Sequence, residues 1–467
     1  MAENLQNKGR NPNEASKKSS DISALDFIKK TALSLSLMLI AGIACLVFIP
    51  GKAPDTEALL PTSAPEITAE AAPTPAPTLI PTDAAPPPTE TVYPTPSCKP
   101  SPASYATIGA IGDIMVMESQ IDFARRVGNG GYDFSRSFLP LYELFESVDL
   151  MCGNLETTFN GDKITYYDIV RDDGSIRRGC RFSAPDELAS NLKQAGFDVI
   201  TTANNHSFDT GWEGLRKTVE VVRAAGLLQT GTFLSPEDRN TPLIAEVNGI
   251  KIGIIACLSG TNGHSSALSG EQQRFAFASL RKLSELKSDI ERTRAAGAEF
   301  IVAFLHWGTE FTHSHSSSQT RTAELLAEAG VDAIFGAHSH FVQPIEWLTV
   351  QRDDCEAAVP VIYSLGNFIS NMSPTPRDYG MFVKLGLKKQ SGKVEITDLA
   401  YLPLWCFKQQ TEDGVLHQVL PCCEDVLSVT AWGPLTEANY DRLRRCREYV
   451  ADIVGEDAAR LMTSVER

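Results

Sequence analysis

The chain has 467 residues, with 42 Lys and Arg against 58 Asp and Glu, giving a formal net charge of −16. This acidity argues against nucleic acid or anionic lipid headgroups as the main partner of the folded part. At roughly 100–200 residues per domain the length would suit two or three domains, but the first ~103 residues do not read as globular.

Residues Ala32–Ile49 form an uncharged apolar run. As a helix it would rise about 27 Å, close to the thickness of a bilayer's hydrocarbon core. Lys8, Arg10, Lys17, Lys18, Lys29 and Lys30 precede it, and only Lys52 follows closely. The positive-inside rule then places residues 1–31 in the cytoplasm and the rest outside the cell. The run is long for the apolar part of a cleaved signal peptide and lacks a small-x-small cleavage site. It also has no polar face, unlike a core helix. A single transmembrane helix over 32–49 is therefore expected. Residues 50–103 follow as a disordered Pro/Thr/Ala-rich linker, in which 15 of the chain's 27 prolines fall. Such a composition favours extended polyproline II and acts as a semi-rigid stalk.

From Tyr105 onward, short apolar runs alternate with helix-period segments. Strands are expected at Ala106–Ile111, Val148–Cys152, Val199–Thr202, Ile250–Leu258, Phe300–Leu305, Ala333–Phe335 and Val359–Ser364. Helices are expected at Pro185–Ala195, Trp212–Ala225, Leu280–Ala296 and Gln319–Ala329, each stopped by a glycine. Helix–Gly–strand repeats read as βαβ units. Phe382–Leu387 and Val394–Leu399 read as a closing hairpin, and Thr436–Val465 as one or two amphipathic helices. The expected division is an α/β domain over 104–405 and a C-terminal helical extension over 406–467.

Most of these strands end in a polar cluster. Asp113 follows Gly112. Asn154 and Glu156 flank Leu155 after Gly153. Asn205 and His206 lie in Asn204-Asn205-His206. His306 precedes Trp307-Gly308, and His338-Ser339-His340 follows Gly336-Ala337. Sites in open α/β sheets collect at the carboxyl ends of strands. Carboxylate, amide and imidazole groups there suit a hard or borderline metal ion. His206 beside an amide suits general acid–base work, and Asp209 either fixes its tautomer or caps the next helix. His313 and His315 read as loop residues outside the ligand set. Asn367 in Ser364-Leu365-Gly366-Asn367-Phe368 is placed to support a ligand from behind.

Ten cysteines are present. Cys152 and Cys257 lie in apolar strand-like runs and read as free buried thiols. Cys180, Cys355, Cys406, Cys422, Cys423 and Cys446 are open to disulfide formation outside the cell, with pairings that spacing does not reveal. The lack of a C-x-x-C pair argues against a zinc ribbon.

Taken in order from about 105 to 372, these segments resemble the CapA-type family of poly-γ-glutamate capsule biosynthesis proteins. That family is in turn similar to the calcineurin-like metallophosphoesterases. The resemblance implies a four-layer αββα sandwich with a dinuclear metal site. The ions would be divalent or trivalent, such as Mn, Fe or Zn. Asp113, Asn154 or Glu156, Asn205, His306, His338 and His340 fall on metal-binding positions, and His206 on the proton-donor position. The chain departs from the broader pattern twice. Met115 stands where Asp-x-His is usual, and Gly153-Asn154 replaces Gly-Asp, so a bridging carboxylate would have to come from Glu156. The implied function is a membrane-anchored extracellular hydrolase-like protein of cell-surface polymer synthesis. Its substrate would be an anionic polymer or a phosphoester. The alternative is a non-catalytic subunit that binds polymer or membrane synthase partners.

Overall fold

The computed structural model describes residues 102–465 except 171–173, 353–354 and 424–433. The expected cytoplasmic tail, the transmembrane helix and the linker as far as residue 101 lie outside the described residues.

Two sheets form the frame. The first starts with β1 (Ser104–Ile114) and β2 (Leu150–Leu155). A hairpin of β3 (Thr165–Val170) and β4 (Ile176–Arg181) intervenes before β5 (Val199–Thr201) and β6 (Leu228–Thr230). The second sheet takes β7 (Leu243–Val247), β8 (Ile250–Leu258), β9 (Phe300–His306), β10 (Ala333–Ala337), β11 (Ile345–Arg352) and β12 (Cys355–Ile362). The chain then returns to the first sheet with β13 (Asn367–Ile369), β14 (Tyr379–Gln390), β15 (Lys393–Thr411), β16 (Gly414–Pro421) and β17 (Arg460–Leu461). The strand orders are β16-β15-β14-β1-β2-β5-β6 and β11-β12-β10-β9-β8-β7, with β13 beside β1 and β17 beside β15. The centre of each sheet is parallel, through β1-β2-β5-β6 and β8-β9-β10-β12. The main helices are α1 (Glu118–Val127), α2 (Glu187–Ala195), α3 (Gly211–Ala224), α4 (Leu283–Ala295), α5 (Ser317–Glu328) and α6 (Glu437–Val454).

Alternation along the strands builds the layers, because successive side chains point to opposite faces. In β9, Val302 and Phe304 enter a core shared with Ile108, Ala110 and Cys152 of the first sheet. Ile301, Ala303 and Leu305 instead pack on Leu286 and Ile290 of α4 and Ala323 and Leu326 of α5. Met151 and Leu155 of β2 face outward onto Ile121 of α1 and Leu188 and Leu192 of α2. The result is helix, sheet, sheet, helix: the expected four layers. Strands covered on both faces read as continuous apolar runs, which is why β8 and β9 stand out in the sequence.

The carboxyl-terminal part differs from the helical extension expected over 406–467. β15 runs through that boundary and β16 follows, so both complete the first sheet. The stretch Tyr401–Phe407 is buried on both faces and therefore lacks the alternation that would have marked its length. Of the one or two helices expected over Thr436–Val465, one forms, α6, followed by β17.

Candidate metal centre

The polar clusters meet where the parallel strands end. Asp113 lies opposite Asn154 of β2 on one side and Asn367 of β13 on the other. Gly112 permits this: a Cβ there would stand 1.9 Å from the Gly366 carbonyl oxygen. His306 is the last residue of β9, and His338 and His340 follow β10 with φ of +97° and +58°. Left-handed backbone costs a non-glycine residue about 1–3 kcal/mol. Two such residues in one tripeptide are held there by their surroundings, with both rings turned into the cluster.

Two sets of ligand atoms lie within 4.8 Å of one another: Glu156, His306 and His338, and Asp113, Glu156 and His340. Glu156 belongs to both. Around His306 Nε2 stand Asn205 Oδ1 at 2.7 Å, His338 Nδ1 at 3.0 Å and Glu156 Oε1 at 3.4 Å. With metal–ligand bonds of about 2.0–2.2 Å, neighbouring ligand atoms fall roughly 3 Å apart, so this spacing is that of a coordination shell. On the other side, His340 Nδ1 is 3.5 Å from Asp113 Oδ2 and 3.0 Å from Asn367 Oδ1. Asn367 Nδ2 donates to the Arg377 carbonyl at 2.8 Å, so Asn367 supports His340 as expected.

Asn154 takes a different part from the oxygen ligand expected of it. Its Nδ2 donates to Asp113 Oδ1 at 2.7 Å and lies 3.3 Å from His306 Nδ1. Its carbonyl oxygen accepts from Asn204 Nδ2 at 3.3 Å and Thr201 Oγ1 at 3.4 Å. In this arrangement Asn154 holds Asp113, and the shared carboxylate is that of Glu156.

The donors fit a cation on an observation of their own. Glu156 is fully buried, and neither carboxylate oxygen has a hydrogen-bond partner. A buried carboxylate without compensation is costly. Burial and the charge of Asp113 accordingly push its pKa well above the usual range. Burial holds His306 and His338 down to about 3, so both are neutral imidazoles. For Asp113 burial acts upward, but the His340 hydrogen bond, His306 (charged only in the acid range where Asp113 titrates) and the charge of His340 carry it down to about 2. For His340 burial acts downward, and Glu156 and Asp113 carry it up to about 9. Carboxylate and imidazole ligand atoms converge on shared space here, and without a cation Glu156 and His340 hold protons that a bound cation would replace.

His206 faces the cluster from the loop after β5. Its Nδ1 is 2.6 Å from Asp209 Oδ2, and its Nε2 is 4.0 Å from Glu156 Oε1. Asp209 Oδ2 also accepts from the Phe182 amide at 2.6 Å. Asp209 thus fixes the His206 ring and leaves its Nε2 pointing inward. Burial pulls the His206 pKa down, but the hydrogen bond and the charges of Asp209 and Glu156 outweigh it and raise the net value.

A cleft of about 300 Å³ opens above His206 and His340. Tyr167, Arg178 and Phe182 line one side, and Asn262, Glu310, Phe311 and Met372 the other, with Met115 below. The hairpin β3–β4 supplies the first side and pairs only with itself. Sequence reading missed it, although Asp173-Gly174 between two alternating runs is a hairpin signal. His264 was also missed: its Nε2 lies 3.4 Å from the Tyr167 hydroxyl and 3.8 Å from Asp209 Oδ1. His313 and His315 stay outside the ligand groups, stacked on Phe341 and Tyr363. A larger groove of about 710 Å³ lies between the end of α6 and β15 and contains none of the cluster residues.

Several known proteins are similar to this chain. The family model for the bacterial capsule synthesis protein PGA_cap matches residues 107–372. The capsule biosynthesis protein CapA of Bacillus anthracis is 27% identical over 270 residues, 56% of this chain and 59% of that protein. The PGA biosynthesis protein CapA of Bacillus subtilis (strain 168) is 25% identical over 258 residues, 55% of this chain and 62% of that protein. The matched region thus spans about three-fifths of these relatives' length. Among solved structures, the calcineurin-like phosphoesterase YfkN from Bacillus subtilis aligns with a TM-score of 0.40 and 14% identity, covering 75% of this chain and 99% of that one. The family match runs from β1 past β13, takes in every strand end that builds the cluster, and covers more than half of the sequence: the chain belongs to the bacterial capsule synthesis protein family.

Proposed function

We propose that this protein is a membrane-anchored, metal-dependent hydrolase that acts outside the cell on an anionic polymer of the capsule, or on a phosphoester formed in its synthesis. The observation that carries the reading is Glu156, buried, unpartnered and shared by two ligand groups. Glu156, His306, His338 and Asn205 would hold one divalent or trivalent ion, and Asp113, Glu156 and His340 a second. Bound there, the ions would supply Lewis acidity at the scissile group. The chain's own residues do the rest. Asp209 orients His206 and raises its pKa, which favours the protonated form that would donate to the leaving group. Asn154 and Asn367 hold Asp113 and His340 in place. Phe182, its ring centroid 4.4 Å from that of His206, packs against the imidazole and helps hold its orientation. The apolar run 32–49 and the linker 50–103 would tether this domain above the membrane, within reach of synthase subunits. The test is turnover by the metal-loaded full chain on poly-γ-glutamate and on a phosphodiester, with His206→Ala alongside. Hydrolysis that survives in His206→Ala would remove His206 from the donor role.

One observation favours a second reading, a non-catalytic assembly subunit that binds polymer. Met115, buried and apolar, lines the cleft where an Asp-x-His motif would put a fourth metal-facing imidazole. Metal binding with no turnover on ester and amide substrates would decide for it.

A further inference from the structure

Away from the cleft, α6 crosses the far end of the first sheet. It buries Leu443, Cys446 and Val450 in the core that contains Tyr401, Leu420 and Cys422. Cys422 and Cys446 are free thiols, 1% and 0% exposed, and both lie in this one core. The backbone explains the meeting. Leu404 of β15 pairs with Pro421 of β16, and the Cys422 amide donates to the Pro403 carbonyl at 2.8 Å. Cys446 Sγ donates to the Leu404 carbonyl at 3.4 Å. The two cysteines are thereby anchored on adjacent residues of β15, Cys422 on Pro403 and Cys446 on Leu404. Arg447 Nη1 adds a bond to the Cys422 carbonyl at 3.3 Å. The nearby alternatives face away: Cys406 and Cys423 belong to the core on the opposite side of the sheet.

We propose that Cys422 and Cys446 form a disulfide that fastens α6 to the first sheet. The oxidant is a small disulfide, R–S–S–R, of the glutathione class. One cysteine thiolate attacks it, breaks the R–S–S–R bond and releases the first R–SH. The second thiolate attacks the resulting mixed disulfide, forms the Sγ–Sγ bond and releases the second R–SH. The two thiol protons end on the two R–SH molecules, and the oxidant takes up two electrons. Burial and the adjacent Cys422 push the Cys446 thiol up, so the exchange belongs to the stage before α6 is fully docked.

The fastening reaches the cleft. Tyr449, less than a turn beyond Cys446, has its hydroxyl 2.9 Å from His313 Nδ1. His313 stacks on Phe341 with centroids 4.2 Å apart, directly after His340. On the same helix, Arg442 Nη2 donates to Asp378 Oδ2 at 2.8 Å. A closed disulfide therefore holds the support behind the His338–His340 loop.

The full chain is reduced and unfolded, refolded in oxidised glutathione, then unfolded again in denaturant with N-ethylmaleimide, digested and mapped by mass spectrometry. The expected product is a peptide pair joined through Cys422 and Cys446. It should be lost in Cys446→Ser and kept in Cys423→Ser. The oxidised wild type should also melt a few degrees above the dithiothreitol-reduced form, and Cys422→Ser should abolish that difference. Recovery of Cys446 as its maleimide or glutathione adduct from folded wild type would overturn the proposal. So would a cross-link from Cys446 to any cysteine other than Cys422. The wild-type map decides even if a serine variant fails to fold.

Discussion

In the ligand cluster that meets the cleft at His340, here called its floor, Asp113, Glu156, His306 and His340 are at most 2% exposed, and each lies in or just after a strand of the two packed sheets. The wall is the β3–β4 hairpin, whose strands pair only with each other and leave Val170 70% and Ile176 67% exposed. The floor gains its geometry from the whole fold, and its backbone tolerates left-handed histidines because the surrounding layers hold them. The wall rests on few constraints and can change without disturbing the ligands. The difference separates chemistry, fixed by the floor, from recognition, left to the wall.

The sharpest way to break this division is to change the proton donor alone. His206→Ala should lower turnover by about 100- to 10,000-fold while the metal content stays unchanged. A parallel loss of metal, seen by elemental analysis, would show that His206 belongs to the ligand shell instead. Next comes the support of the floor. Asn154→Ala frees the Asp113 carboxylate and should weaken metal binding about 10- to 100-fold, as measured by competition with a metallochromic chelator. Wild-type affinity in that variant would refute the supporting role given to Asn154.

The metal-free floor also makes a pH prediction. His340 is raised to about 9. Its contribution to stability is full below its unfolded value of about 6.5 and is lost as pH climbs through 9. Glu156, raised, acts in the same direction. His306 and His338, lowered to about 3, contribute stability above about 6.5 that is lost as pH falls toward 3. The melting temperature of the chelator-treated chain should therefore peak near pH 6.5 and fall by several degrees toward pH 9. Added metal should flatten the alkaline side. A metal-free melting temperature that rises from pH 6.5 to 9 would contradict the assignment. The smallest effect concerns the wall. Arg178, stacked on the Tyr166 ring at 4.2 Å, lines the cleft with positive charge. Arg178→Ala should cost about 1 kcal/mol of anionic substrate binding, roughly fivefold in KM, with kcat and metal content untouched.

The same contrast governs what the sequence discloses. β9 and β10 are buried on both faces, so they read as apolar runs, and His306, His338 and His340 stand out as the polar residues that end them. Asp113, Asn205 and His206 are legible for the same reason. The roles of Asn154 and Glu156 were not separable, because two residues apart in one motif they differ only in where Thr201 and Asn204 turn the amide. The hairpin is signalled locally only by Asp173-Gly174 between short alternating runs, with no apolar strand run to mark it. The extent of β15 escaped because burial on both faces erased its alternation. The docking of α6 behind the His340 loop depends on the Tyr449–His313 contact between distant segments, which no local pattern encodes.

The central claim is that Glu156 is shared by two metal sites. Its direct test is the metal content of the full chain reconstituted with manganese, iron or zinc, comparing wild type, Glu156→Gln and His338→Ala. The account predicts about two equivalents in the wild type, about one in His338→Ala and essentially none in Glu156→Gln. Two equivalents retained by Glu156→Gln, or none in a folded and reconstituted wild type, would contradict it.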